Sequence, residues 1–381
     1  MKKLNFLRLR LLALSIFSVL VMFACESSKQ EFTSKKTKNW VWVTPDLEKT
    51  DEVWRKEFYR LKQAGFDAVL LEIYAGNEAF FGSKRLPVKA PWLERMLPLV
   101  KEAGLECHAW MWTMPNNNPA NYEDPAKLDW YNVNRKGESS SDKPAYVNYY
   151  RFMCPSSEEV QQFILGTVKE LCAYDIDGVH FDYIRHPDVI LAKGLWDNYG
   201  IVQDKEYPEY DYCYCERCRN GYKDKFGQDP LEMEDPTKSD SWRQYRMNLI
   251  THLANDILIP EVHKHGKLAS AAVFPNWTSV KQEWKSWHMD AVLPMLYNGF
   301  YEAPVAWVGE QVQWGKANLK HSETQLYSGL FLPDLTQADS LKAAVRHSLK
   351  NGAEGISLFA MGGLTEAQWK ALEEMYENGE L

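Results

Sequence analysis

Eight times in succession, an apolar stretch of strand length is followed by a stretch with the apolar spacing of a surface helix. The strand-like stretches are residues 40–44, 67–74, 105–113, 177–182, 268–274, 290–297, 325–331 and 355–360. Helices are expected over 50–64, 91–103, 156–173, 241–265, near 280–287, and over 303–320, 337–351 and 365–377. Gly65, Gly104 and Gly266 punctuate helix ends. The second stretch is apolar on both faces, as a buried parallel strand must be. Strand and helix alternating eight times predicts an α/β fold of the (β/α)8 TIM barrel type. A doubly wound sheet is the competing fold, but it rarely repeats its unit eight times without interruption. Pro294 inside the sixth strand is at odds with the barrel, because proline cannot donate to a ladder.

Two long excursions, 114–155 and 187–239, follow strands three and four. In such a barrel the active site lies at the C-terminal ends of the strands. Strand four is the richest in chemistry there: Asp177-Gly-Val-His-Phe-Asp-Tyr-Ile-Arg-His-Pro187 places His180, Asp182, Tyr183 and Arg185 within six positions. A period of two puts His180 and Asp182 on one face. The other strand ends supply Glu72, Glu78 in the loop beyond it, His108, Trp110, Asn276, Trp277, Tyr297 and Asn298. Paired carboxylates among aromatic and amide groups suit glycoside hydrolysis, one as acid and the other as nucleophile or base. Asp182 is one member of the pair, with Glu78 or Glu72 the other. Arg185 is expected to keep Asp182 ionised, and a plain salt bridge between them is the structural alternative. The remaining residues are candidate sugar contacts, and His108 and His180 could equally be satisfied within the core.

The N-terminus reads as a lipoprotein signal peptide over 1–25. Lys2, Lys3, Arg8 and Arg10 precede an apolar run, and Cys25 follows Ala24 where acylation would occur. Residues 26–38 form a polar tether, and 39–381 a catalytic domain. The expected location is the cell envelope, with membrane contact through lipid alone. Loss of the four cations takes the formal charge from −8 to −12. That acidity, without a basic stripe, argues against nucleic acid as a partner. With 15 Trp and 20 Tyr, many rings must be partly exposed, and flat amphipathic rings suit sugar faces; the expected partner is an oligo- or polysaccharide.

The strand-four stretch resembles the signature of family 10 glycosyl-hydrolase-like proteins. The similarity extends through Trp40-Val-Trp-Val, Asn77-Glu-Ala-Phe-Phe81, His108-Ala-Trp110, Cys154-Pro-Ser-Ser157 and Ala271-Ala-Val-Phe-Pro275. The resemblance implies a barrel glycosidase of the bacterial envelope that needs no cofactor for catalysis. It aligns Asp182 with the strand-four acid and Glu78 with an acid after strand two, where Glu72 departs from the Gln of many relatives. Cys213-Tyr-Cys215-Glu-Arg-Cys218, with Cys154 as a fourth ligand, could wrap a zinc ion. The cluster resembles the structural zinc site of certain barrel β-galactosidases; a disulfide is the alternative, favoured by export. Cys107 and Cys172 are expected to be packing residues. A glycan-binding barrel without catalysis is the rival reading of the whole chain. A metal-dependent hydrolase is disfavoured, because the rim lacks a His-rich ligand set.

Overall fold

The computed structural model describes residues 38–381. The signal peptide, Cys25 and nearly all of the tether lie outside the described residues. Eight parallel strands close into a barrel in sequence order: β1 (Trp40–Val43), β2 (Ala68–Tyr74), β3 (Glu106–Trp112), β4 (Gly178–Asp182), β5 (Leu268–Val273), β6 (Ala291–Pro294), β7 (Gln325–Phe331) and β8 (Gly355–Phe359). Alternation sorts the side chains. Val41, Val69, Leu71 and Val179 point outward into the shell beneath the helices. Trp40, Trp42, Leu70, Trp110, Leu293 and Tyr327 point inward and fill the barrel. Gly178 is required at the start of β4 because the His108 ring occupies the space a Cβ would take. Among the described residues, no helix is long and apolar enough to cross a membrane.

The seam between first and last strands is held by Asn39, just ahead of β1. Its amide donates to Gly65 O at 3.1 Å and accepts from Ile356 N at 3.2 Å, so one buried side chain bonds to the turn ahead of β2 and to the start of β8.

The helices follow their capping signals with instructive departures. Thr50 caps Asp51–Gln63, whose Trp54, Phe58 and Leu61 are buried, while Val53 is 40% exposed. Ser157 caps Glu158–Cys172, so the helix begins two residues later than expected, and the Ser156 hydroxyl lies 3.0 Å from Cys154 Sγ. The helix expected over 241–265 is interrupted by a π stretch, Leu253–Leu258, between Asp240–His252 and Ile259–Lys264. The helix expected near 280–287 is reduced to a 3-10 turn, Trp284–Ser286. There Lys281 adopts a left-handed φ of 54°, and the Gln282 side chain accepts from Phe274 N and donates to Ala272 O. Those bonds tie the segment to the end of β5 instead of letting it coil. Pro294 proves harmless, since it is the last residue of β6.

Candidate active site

Asp182 ends β4 and is 8% exposed. Its Oδ2 accepts from the Trp110 indole at 3.1 Å, and its Oδ1 accepts from the backbone N–H of Tyr183 at 2.7 Å. The second bond accompanies a left-handed Tyr183, φ 50°, a conformation that costs a non-glycine residue on the order of 1–3 kcal/mol. Burial pushes the Asp182 carboxyl up to about 6, against the opposing pull of the Tyr183 N–H, Arg185 and Trp110. The expected partnership with Arg185 is therefore corrected. Arg185 is committed to Asp188 at 2.9 Å, donates to His186 O at 2.9 Å, and acts on Asp182 only as a lesser influence.

The two candidate partners occupy different environments. Glu72 points inward from β2, paired in register with Trp110 of β3, whose neighbour Trp112 pairs with Asp182. Burial, and then the Asp182 charge, push Glu72 up to about 7, while the Trp112 indole acts the other way. Glu78, which the resemblance favoured, sits in the loop beyond with its side chain 40% exposed and 3.6 Å from Lys89. Glu72 is thus the carboxyl brought into electrostatic contact with Asp182, and Glu78 is not.

The two histidines form part of the barrel floor. His180 accepts from the Trp42 indole at 3.1 Å through Nε2, and its Nδ1 lies 2.9 Å from Ser270 Oγ. Burial holds its pKa well below the usual value, so the ring is neutral and Nδ1 carries the proton donated to Ser270. His108 lies under the Trp40 ring, centroids 4.3 Å apart, with Nε2 3.5 Å from Glu106. Both are fully buried, and neither lines the cavity above Asp182.

Above Asp182 is a partly enclosed cavity of about 240 Å3. Of the sequence candidates, Asp182, Tyr183, Arg185 and Tyr297 line it. Trp110 stands behind Asp182. Asn276 accepts from Tyr301 OH at 2.9 Å, and Asn298 donates to Ala303 O at 3.1 Å, so both amides shape loops. Trp277 lies under the Lys285 ammonium, 4.5 Å from the ring centre. Strand ends alone did not reveal much of the wall: Tyr149 and Tyr150 from the first excursion, Asp188, Leu191, Leu195 and Tyr199 from the second, and Phe300 and Tyr301. The tyrosine-rich composition of the excursions was the available signal. A wider hollow of about 710 Å3 lies beside the cysteines, lined by residues such as Asp129, Tyr214 and Arg217. The Asp129 and Glu216 side chains on its wall are not buried, so it lacks a desolvated carboxyl pair.

The four expected cysteines converge. The Sγ atoms of Cys154, Cys213, Cys215 and Cys218 all lie within 4.8 Å of one another, with Cys154 3.6 Å from Cys215 and 3.5 Å from Cys218. All four are free thiols. A tetrahedron with Zn–S bonds of about 2.3 Å has edges of roughly 3.8 Å, so the donor set fits zinc in a closed four-thiolate site. An aromatic shell of Tyr212, Tyr214, Tyr222 and Trp242 packs around it. Cys107 and Cys172 are buried elsewhere in the main core.

No family model and no curated protein matches this chain. Solved structures do resemble it. The catalytic domain of a β-amylase from Paenibacillus polymyxa superposes with a TM-score of 0.61 at 12% identity, over 91% of this chain and 99% of the other. A catalytic mutant of a GH42 β-galactosidase from G. stearothermophilus gives 0.60 at 10% identity, over 91% of this chain and 57% of the other. An α-L-fucosidase isoenzyme from Paenibacillus thiaminolyticus gives 0.56 at 14%, over 90% and 49%. At these identities the likeness is one of fold, the (β/α)8 barrel that these glycosidases share.

Proposed function

We propose that this protein is a glycoside hydrolase whose carboxyl pair is Asp182 and Glu72. The observation that carries the reading is the pair itself: two carboxyls on the barrel rim, Asp182 buried beside an aromatic cavity and Glu72 partly buried, displaced upward to about 6 and about 7. Carboxyls whose environments separate their pKa values divide naturally into acid and base. Between pH 6 and 7 Asp182 is ionised while Glu72 holds its proton. Glu72 would donate that proton to the leaving oxygen as the glycosidic C–O bond breaks. Asp182 would act on the anomeric carbon, either directly as nucleophile or through a water it deprotonates. One water is consumed: its oxygen becomes the new anomeric hydroxyl, and its proton passes to Glu72 in the nucleophilic route, or to Asp182 in the water-activating route, where exchange with solvent restores both carboxyls. Aromatic walls exclude water and offer faces to sugar rings. The fold shared with known glycosidases agrees with this reading.

Within the same proposal, Cys154, Cys213, Cys215 and Cys218 hold one structural zinc with no open ligand position. Its chemistry would be to join the two excursions that carry Tyr149, Tyr150 and Tyr199. The substrate is a glycan of the cell envelope or another polysaccharide, reached by a protein tethered through Cys25.

The test is reducing-end release from a panel of envelope and plant polysaccharides by wild type and Asp182→Asn. Wild type should release ends, and the variant should lose on the order of 10²–10⁴ in rate. Equal glycan binding by both proteins, with release by neither, would make this a glycan-binding protein instead.

A further inference from the structure

One strap roofs the cavity. Residues 188–200 leave β4 and reach the loop after β6, so that Leu191, Leu195 and Tyr199 face the same space as Phe300 and Tyr301. The strap is fastened along its length. Val189 N donates to Ser279 O at 3.0 Å, and Leu191 N to Gln203 Oε1 at 2.8 Å. Lys193 pairs with Glu302 at 2.7 Å. At Gly194 the backbones come so close that a Cβ would overlap the Gly299 carbonyl oxygen.

The enclosed volume is small. About 240 Å3 lies below the roughly 300–1,000 Å3 of pockets for drug-sized ligands. Among the described residues, none before Tyr149 lines it. The side toward β1–β3, where Glu72 and Trp112 stand, contributes none of that lining.

Resting on the glycosidase reading above, the geometry points to a cavity that takes one terminal sugar residue, so that hydrolysis proceeds from chain ends one sugar at a time. A polymer threaded through the site would have to lift the strap from several anchors at once, whereas a chain end enters without disturbing them. Each turnover spends one water and frees one sugar bearing a new anomeric hydroxyl.

Two substrate sets test this: 4-nitrophenyl glycosides of single sugars, and polysaccharides and oligosaccharides capped by reduction at their reducing ends. Wild type should cleave at least one aryl glycoside, and its first product from a polymer should be free monosaccharide. Gly194→Val, which pushes the strap off the Gly299 carbonyl, should raise KM for the aryl glycoside about tenfold or more with a smaller change in kcat. Should that variant lose its circular dichroism, Leu195→Ala serves the same comparison. Internal fragments as first products, or a folded strap variant kinetically equal to wild type, would overturn the one-sugar assignment and leave hydrolysis standing. Silence of wild type on both sets would remove the hydrolase reading, and this inference with it.

Discussion

Replacing Glu72 by Gln separates two consequences of burying a carboxyl near Asp182. In the wild type, burial and the Asp182 charge raise Glu72 from 4.5 to about 7. An acid whose pKa rises on folding is held protonated by the fold, so the stability present below pH 4.5 is lost as the pH climbs through 7. At 1.36 kcal/mol per pH unit, that displacement amounts to about 3 kcal/mol. Gln keeps the neutral shape and never bears the charge. The variant should therefore be close to wild type in stability at pH 4, and more stable by up to about 3 kcal/mol at pH 8. Asp182 owes nothing of its own displacement to Glu72, so its contribution cancels in the comparison. Urea unfolding at the two pH values gives the difference directly. Activity should move the other way, falling on the order of 10²–10⁴ with loss of the general acid. The wild-type profile should rise near pH 6 and fall near pH 7; in the variant the fall should vanish and the rise persist. A stability difference that is the same at pH 4 and pH 8, or a falling limb that survives, would refute the assignment of Glu72 as the buried acid.

Other expectations concern the supports of the site. Protein purified under reducing conditions should contain about one zinc per chain by atomic emission, and Cys218→Ser should lower both metal content and melting temperature; metal-free wild type with paired cysteines by mass spectrometry would reject zinc. Asp188→Ala leaves the Arg185 charge buried and unpaired, which should cost about 3–5 kcal/mol in urea unfolding. Adding Arg185→Met should recover most of that loss, and a double variant no better than the single one would contradict the pairing. Full-length protein expressed in a bacterial host should take up labelled palmitate and fractionate with membranes, and Cys25→Ser should abolish both; label retained by the variant would exclude Cys25 as the anchor.

The barrel was legible in the sequence because parallel strands and amphipathic helices each leave a period, and eight repeats leave few alternatives. The strand ends were legible too, which is why Asp182, Tyr183, Arg185 and Tyr297, singled out there, all line the cavity. Two kinds of information were not. The choice between Glu72 and Glu78 depends on which residue lies inside the barrel wall, and the Lys89 partner that holds Glu78 outward gives no local signal. The Arg185–Asp188 pair depends on the chain bending back after β4, and proximity in sequence to Asp182 suggested the wrong partner. The cavity wall was hidden for a similar reason, because Tyr149, Tyr150 and Tyr199 come from excursions without periodicity. Cysteine spacing, by contrast, foretold a real convergence, since Cys-x-Cys-x-x-Cys confines three sulfurs and leaves only the fourth to be found.

Asn39 has a consequence in time. It bonds to Gly65, 26 residues on, and to Ile356, 317 residues on. At about 5–20 residues per second of synthesis, roughly 15–60 s separate the appearance of the first strand from that of its last partner. Throughout that interval β1, with Trp40 and Trp42, is a free edge of any sheet formed so far. The barrel can therefore complete its interior only after nearly the whole chain has been made. A chain cut short before β8 would present a tryptophan-bearing edge, the surface a folding chaperone is built to hold.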